Sequence, residues 1–350
     1  MTALTQIAIN ARRGIRYIIY GIIFLIVGKF ALDASIAIYL KVFPPPPPAP
    51  TIKFGKLTKI PFPTNTNKAN LNYTLETPQG GLPTDISTQA KVYFMPKPNP
   101  SLLALDVAKE RAKAMSFTSD PIAESDTIYK FTNPNYPMVL EMNIISGTFS
   151  ISYDLSADRT PITLKPPVAE VAAADFRALL SSASILPDDL TGPVTHNFYK
   201  LSSGLLAPAL SLSEADVVKV SLFRKSYDNL PSMTANPNEA NVWAIVSGST
   251  TREQQVIAAE YHYLPVDESQ FSTYPIKTPG QAFSELQGGG AYIADLGLNK
   301  DGGSLKIRRI YLAYFDPESA SDFYQPVYVF EGDNGFTAYL PAVTSNYYSQ

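Results

Sequence analysis

The feature that most constrains this chain is an apolar run near its N-terminus. Tyr17 to Leu40 reads YIIYGIIFLIVGKFALDASIAIYL, 24 residues in which only Lys29 and Asp33 carry charge. As a helix it is about 36 Å long, enough to cross a hydrocarbon core of about 30 Å with some tilt. Arg12, Arg13 and Arg16 precede the run, which places the N-terminus in the cytoplasm by the positive-inside rule; Lys41, Lys53, Lys56 and Lys59 follow it and work against that assignment. No A-x-A-like cleavage site separates the run from the prolines beyond it, so a retained anchor is favoured over a removed signal peptide. Residues 1–16 are expected as a cytoplasmic N-terminus, 17–40 as a single transmembrane helix in the cell membrane, and the C-terminal domain as extracytoplasmic.

Two patterns inside the run bear on partners. Lys29 and Asp33 are four residues apart, so they share a helix face and can pair, either neutralising each other near an interface or contacting a partner helix. Gly14, Gly21, Gly28 and Ser35 recur every seven residues and keep small side chains on one slowly drifting stripe. Such a stripe lets membrane helices approach closely, which points to self-association; glycine is also simply common in membrane helices.

Pro44 to Pro48 are five consecutive prolines, followed by Ala49 and Pro50. The run favours polyproline II and a semi-rigid spacer, and residues 41–63 are expected as a proline-rich linker. Beyond it the pattern changes to short strands with a few helices. In 64–165, Ser101 precedes a helix whose apolar face is Leu102, Leu105, Ala108, Ala112 and Met115. Strands are predicted over 128–131, 138–145 and 149–155, with Gly147 turning between the last two. In 166–343, VAEVAAADFRALLSSASIL reads as a helix, and strands are predicted over 197–201, 217–224, 242–247 and 256–264. QAFSELQ, stopped by Gly288 to Gly290, is a short helix; strands over 291–296 and 307–315 lead to a hairpin, 328–330 with 336–340, across Asp333, Asn334 and Gly335. Residues 344–350 are left as a tail. The fold class is α+β: one N-terminal transmembrane helix, a polyproline linker, then two packed units of antiparallel sheet with helices on one face. Residues 101–155 and 279–343 share the order helix, then three or four strands, which suggests an internal repeat.

The order KVSLFRKSYDNLP (219–231), NVWAIVSGS (241–249), VIAAEYHYLP (256–265), YPIKTPGQAFSELQGGGAYIADL (274–296) and RRIYLAYFDPESASDFYQPVYVFEG (308–332) resembles the regulatory proteins YycH and YycI, and PepSY-like modules more broadly. The whole arrangement, with F-G-K-L at 54–57 after the spacer, also resembles uncharacterised single-span bacterial proteins. The first resemblance implies an extracytoplasmic, non-enzymatic regulatory domain; the proline spacer and the long first unit depart from it and leave a sensor-kinase partner open.

Composition narrows the chemistry. In 350 residues there is no cysteine and there are two histidines, which excludes a disulfide framework, a thiolate nucleophile and any Cys zinc site. A net charge of −3 gives no electrostatic footprint for nucleic acid. His196 and His262 lack metal-ligand spacing. Lys277-Thr278-Pro279-Gly280 has no S-x-x-K or S-D-N companion, and Gly288 to Gly290 lack a P-loop lysine. Asn299, Asp301 and Gly302 resemble part of a calcium loop, but Ile310 stands where the bidentate acid belongs. Glu141, Asp154, Glu260 and Asp316 are candidates for a carboxylate pair that sequence cannot place together. The tyrosines Tyr311, Tyr314, Tyr324, Tyr328 and Tyr339 suit cross-strand packing or a recognition surface. No catalytic residue, cofactor or metal is expected. The function indicated is a membrane-anchored binding or regulatory module contacting another envelope protein; the alternatives are a structural subunit of an envelope or secretion assembly and, third, an unrecognised hydrolase.

Overall fold

The computed structural model describes residues 3–42, 48–64 and 70–349. The polyproline run falls outside the described residues except for Pro48. The chain divides into two compact units, Met1–Ala49 and Pro50–Gln350.

The first unit is α1 (Ala3–Val42), an uninterrupted helix of 40 residues. Its stretch Gly14–Leu40, 27 residues, is long and apolar enough to cross a membrane.

The second unit is built along the chain as follows. β1 (Leu71–Leu75) and β2 (Gln89–Phe94) precede α2 (Ala104–Ala114). The helix buries Ala108 and Ala112, one turn apart, with Met115 and Phe117 just beyond it. Leu102, expected on its apolar face, lies outside the helix and is fully exposed: Ser101 Oγ accepts from Leu103 N at 3.2 Å, and helix begins only at Ala104. There follow β3 (Ile122–Ala123), β4 (Ile128–Thr132), β5 (Met138–Asn143) and β6 (Phe149–Tyr153). Asn143 Oδ1 accepts from Ile145 N and Ser146 N, and Gly147 at φ +74° completes the turn predicted between β5 and β6.

α3 (Ala169–Ser182) buries Ala169, Ala172, Ala173, Phe176 and Leu180, the spacing of one helical stripe. After it come β7 (Val194–Ser202), β8 (Leu205–Pro208), β9 (Val217–Leu222), β10 (Ser232–Met233), β11 (Val242–Val246), β12 (Val256–Tyr261) and β13 (Asp267–Pro275). α4 (Pro279–Gln287) starts on a capping box. Thr278 Oγ1 accepts from Gln281 N at 3.3 Å and Gln281 Oε1 accepts from Thr278 N at 2.9 Å, so the Lys-Thr-Pro-Gly stretch is a helix start. β14 (Tyr292–Asp295), β15 (Gly303–Phe315), β16 (Phe323–Gly332) and β17 (Thr337–Pro341) end the fold. Asn334 at φ +60° and Gly335 at φ +84° turn β16 into β17, as predicted.

These strands form two sheets, mostly antiparallel, and the fold class is α+β. Nine strands run in the order β3-β4-β5-β6-β12-β11-β9-β7-β8; eight are organised around β1-β15-β16-β17-β14, with β10 on β15 and β2 joining β13 and β16. The nine-stranded sheet is two helix-then-strand runs, a meander β3-β4-β5-β6 led by α2 and the set β12-β11-β9-β7-β8 led by α3, joined edge to edge by the antiparallel pair β6·β12. α2 and α3 cover one face of it around a core that includes Phe131, Leu140, Phe176 and Leu222. α4 packs on the other sheet with Tyr328, Phe330 and Leu340. The stretches 101–155 and 279–343 share helix-then-strand order but not connectivity, because β14 pairs β17 instead of its sequence neighbour β15.

The boundary expected at 165/166 separates neither sheet. Strands on both sides of it contribute to each: β6 pairs β12, and β1 pairs β15. Residues 51–63 and the tail also belong to the compact unit. Leu57 is 0% exposed, its N–H donates to Tyr347 O at 2.7 Å, and Ser349 N donates back to Leu57 O. The apolar residues Leu57 and Ile60, set among prolines and lysines, pull this stretch onto the sheet and out of the linker.

Candidate functional site

The residues singled out in the membrane helix all lie on α1. A Cβ added at Gly14, Gly21 or Gly28 meets nothing within 4 Å, so the stripe is open along this helix. Ser35 Oγ donates to Ala31 O at 2.8 Å and is satisfied within the helix. The ion pair expected between Lys29 and Asp33 is not formed: among the described residues no nitrogen–oxygen contact within 4.0 Å joins them. Lysine preceding the acid at i, i+4 is the weaker orientation on a helix.

In the second unit a groove of about 640 Å³ lies on the eight-stranded sheet. One wall is the loop between β1 and β2. Thr77 pins its turn, donating to Gly81 O at 2.6 Å and accepting from Gly81 N at 3.2 Å. Pro78, Gln79, Pro83, Asp85 and Ile86 from this loop line the groove. The facing wall is a two-residue turn, Asp228 at φ +51° and Asn229 at φ +62°, closed by reciprocal bonds between Tyr227 and Leu230. Two positive φ angles in succession are the mark of a type I′ turn. Lys91 Nζ holds Asp228 at 2.8 Å.

The floor is the segment Arg308–Leu312 of β15. Arg308 is fixed from both sides: Nε donates to Asp333 Oδ1 at 2.6 Å and Nη1 to Glu76 Oε1 at 3.0 Å. Its bonds to Asp333 and Glu76 raise its own pKa and hold both carboxyls below their usual range, with Lys306 the first cause at Glu76. Asp85, on the rim, has no hydrogen-bond or ion-pair partner among the described residues.

This floor is a gap in the sheet. β16 pairs β15 along one side. On the other side β1 runs parallel to it as far as Leu75 opposite Ile307, and β10 begins again at Ser232 opposite Tyr314. Glu76 N closes the first ladder on Ile307 O at 3.0 Å, and Pro231 O opens the second by accepting from Tyr314 N at 2.8 Å. Between these bonds no strand among the described residues pairs that edge. The strand predicted over 307–315 is β15, but the gap beside it was missed, because its flanks are set by the parallel partner β1 and the two-residue β10, neither of which carries a period of its own. The one available signal was Pro231, which lacks the N–H needed to extend β10 backwards.

A second polar cluster is a joint. Arg224 donates from Nη1 to Asp189 Oδ2 at 2.7 Å, from Nε to Asp316 Oδ1 at 2.9 Å and from Nη2 to the carbonyl of Leu264. Tyr227 adds a bond to Asp189 Oδ2 at 2.6 Å, and the Tyr263 ring lies 4.2 Å from the guanidinium carbon. Burial opposes the charge on Arg224, yet Asp316 and its other neighbours hold its pKa well above the usual value; burial in turn pushes Asp316 up. Tyr314 and Tyr324 stack at 5.2 Å beside this cluster, with Tyr93 and Tyr227.

The carboxylates suspected of forming a pair are dispersed. Asp316 is in the joint; Asp154 caps its own turn, accepting from Ser156 N and Ala157 N. Glu141 and Glu260 both register opposite Ser150, from β5 and β12, so a strand separates them. His262 binds Glu260 at 2.9 Å, and His196 stands against Phe198 on exposed β7. Tyr311, Tyr314, Tyr324, Tyr328 and Tyr339 pack into the cores of the second unit, Tyr311 also donating to Glu331 at 2.7 Å.

No family model matches the chain, and no curated protein does. Among solved structures, an uncharacterised protein from Eubacterium rectale aligns over 80% of this chain and 90% of its own, at 14% identity and a TM-score of 0.36. The YpeB C-terminal domain of Bacillus megaterium aligns over 71% of this chain and 95% of its own, at 11% identity and a TM-score of 0.32. Neither comparison supplies a YycH or YycI relative.

Proposed function

We propose that this protein is a single-span membrane anchor carrying an extracytoplasmic binding module that contacts another cell-envelope protein and turns over no substrate. The observation that carries this reading is the groove over β15. Its walls are two pinned turns, and its floor is a strand edge with no strand partner among the described residues. α1 supplies the anchor, and the arginines Arg12, Arg13 and Arg16 favour a cytoplasmic N-terminus.

Site-specific photo-cross-linking in the native membrane tests it. Gln79 is exposed on the groove wall, and Leu205 is exposed on β8 at the edge of the other sheet. A photoreactive residue at Gln79 captures one reproducible envelope protein, and the same residue at Leu205 does not. Capture of nothing from Gln79, or equal capture from both positions, overturns the reading.

A second reading, a structural subunit of an envelope assembly, is favoured by one observation, the unobstructed Gly14–Gly21–Gly28 stripe. It predicts that the protein sediments as a large complex in mild detergent.

A further inference from the structure

The gap beside β15 has a definite size and a definite pattern of donors and acceptors. Tyr314 turns its N–H toward β10. Backbone groups alternate sides along a strand, so Leu312 and Ile310 turn their N–H and C=O the same way, into the groove. Each of these residues is only 8% exposed. No hydrogen bond from that side reaches either backbone among the described residues. Backbone groups within a sheet are nearly always paired, so two alternate residues of one strand left open on the groove side mark a place built to receive something. From Arg309 to Leu312 the open edge spans about 10 Å at about 3.3 Å per residue, room for a strand of about four residues.

We propose that the groove binds an extended peptide segment of the partner, which adds as a short strand in the gap between β1 and β10 and places a basic side chain at Asp85. This deepens the binding reading above and rests on it. A strand is the ligand that offers alternating N–H and C=O at the spacing of Ile310 and Leu312, and main-chain bonds then carry affinity while side-chain contacts carry selectivity. The charge follows from the rim. Arg308 is already bound by Asp333 and Glu76, and Lys91 already holds Asp228. Asp85 is the exposed carboxylate left over, so it favours a lysine or arginine on the incoming segment. The strand occupies both central backbone positions with N–H groups, so proline is excluded at the residue that donates to Ile310 or Leu312.

The test uses the full chain in detergent micelles and a displayed random heptapeptide library as probe. Selected peptides are expected to carry Lys or Arg and to avoid proline at their centre. Backbone N-methylation along one selected peptide is expected to weaken binding about tenfold or more at alternate positions and little at those between, the signature of lost main-chain bonds. Peptide binding is also expected to slow amide exchange at Ile310 and Leu312, whose N–H groups face the groove, and Asp85→Lys, on the exposed loop, to weaken the basic peptides several-fold. An empty selection, a flat methylation scan or unchanged exchange overturns strand addition. Protection of the Ile310 and Leu312 amides without peptide also overturns it: a second copy fills the gap if protection grows with protein concentration, and the chain's own segment fills it if protection does not. If Gln79 still captures an envelope protein while the methylation scan is flat, the binding reading stands and strand addition alone fails. If both fail, neither stands.

Discussion

Arg224 Nε and Asp316 Oδ1 meet at 2.9 Å with side chains only 1% and 8% exposed, and that contact ties the nine-stranded sheet to the eight-stranded one. Arg224 follows β9 and Asp316 follows β15, so two sheet ends are held by one planar fork that also reaches Asp189 and the Leu264 carbonyl. A guanidinium fits this place because it donates in several fixed directions at once.

Arg224→Met is therefore expected to destabilise the protein by about 3–5 kcal/mol, since it leaves two buried carboxylates facing each other without a counter-charge. Urea unfolding of the full chain in micelles measures it. Arg224→Lys is expected to recover only part of the loss, because an ammonium cannot reproduce the three-way geometry. Full recovery would show that charge alone matters here.

Two glycines with similar backbone angles should behave differently. Gly297 has φ +55°, and a Cβ there would lie 1.9 Å from the Asn334 carbonyl oxygen in the β16–β17 turn. Gly80 has φ +73°, and nothing lies within 4 Å of the corresponding position. Gly80→Ala is expected to cost about 1–2 kcal/mol, the penalty of a left-handed backbone alone. Gly297→Ala adds a collision with backbone and is expected to cost more than about 3 kcal/mol. Equal shifts in the unfolding midpoint would show that the Asn334 turn yields freely.

His262 gives a pH dependence with a definite sign. Its bond to Glu260 raises its pKa above 6.5, against partial burial, with Glu318 adding a smaller pull. A group whose folded pKa is raised contributes fully below its unfolded value and loses the contribution as pH rises through the folded value. The wild-type chain is thus expected to exceed His262→Gln in stability most near pH 5.5, with the difference shrinking above pH about 6.5. Paired unfolding curves across this range check it; a difference that grows with pH would reverse the assignment.

Elements whose residues announce themselves locally were legible in the sequence. α3 shows its stripe in Ala169, Ala172, Phe176 and Leu180, and the Asp333-Asn334-Gly335 hairpin needs only its turn residues. The apolar span of α1 is legible for the same reason. What was hidden depends on distant partners. β13 begins DESQFSTYP, with exposed polar residues, and is a strand because β2 pairs with it. The Thr51–Pro63 stretch reads as linker until Leu57 meets Tyr347, about 290 residues away. The groove over β15 was hidden most thoroughly, because it is defined by where β1 stops and β10 starts beside that strand, a property of pairing that belongs to no single segment.

The glycine stripe of α1 yields the last expectation. Gly14, Gly21 and Gly28 recur at seven residues, about 20° short of two full turns per repeat, so they stay on one face across the span. The face is open: added Cβ atoms there meet nothing within 4 Å. Membrane helices gain little from hydrophobic burial against one another and depend on close backbone approach. If the stripe is a self-association surface, Gly21→Leu with Gly28→Leu keeps the span apolar and long enough to insert but holds two helices apart. A membrane-helix association reporter carrying this span is then expected to fall to the level of a monomeric control. Insertion, followed separately by protease accessibility, is expected to stay unchanged, so that a low signal reports lost association and not a lost anchor. An unchanged reporter signal in an inserted helix removes the stripe as a contact surface, and with it the observation that favours a structural assembly.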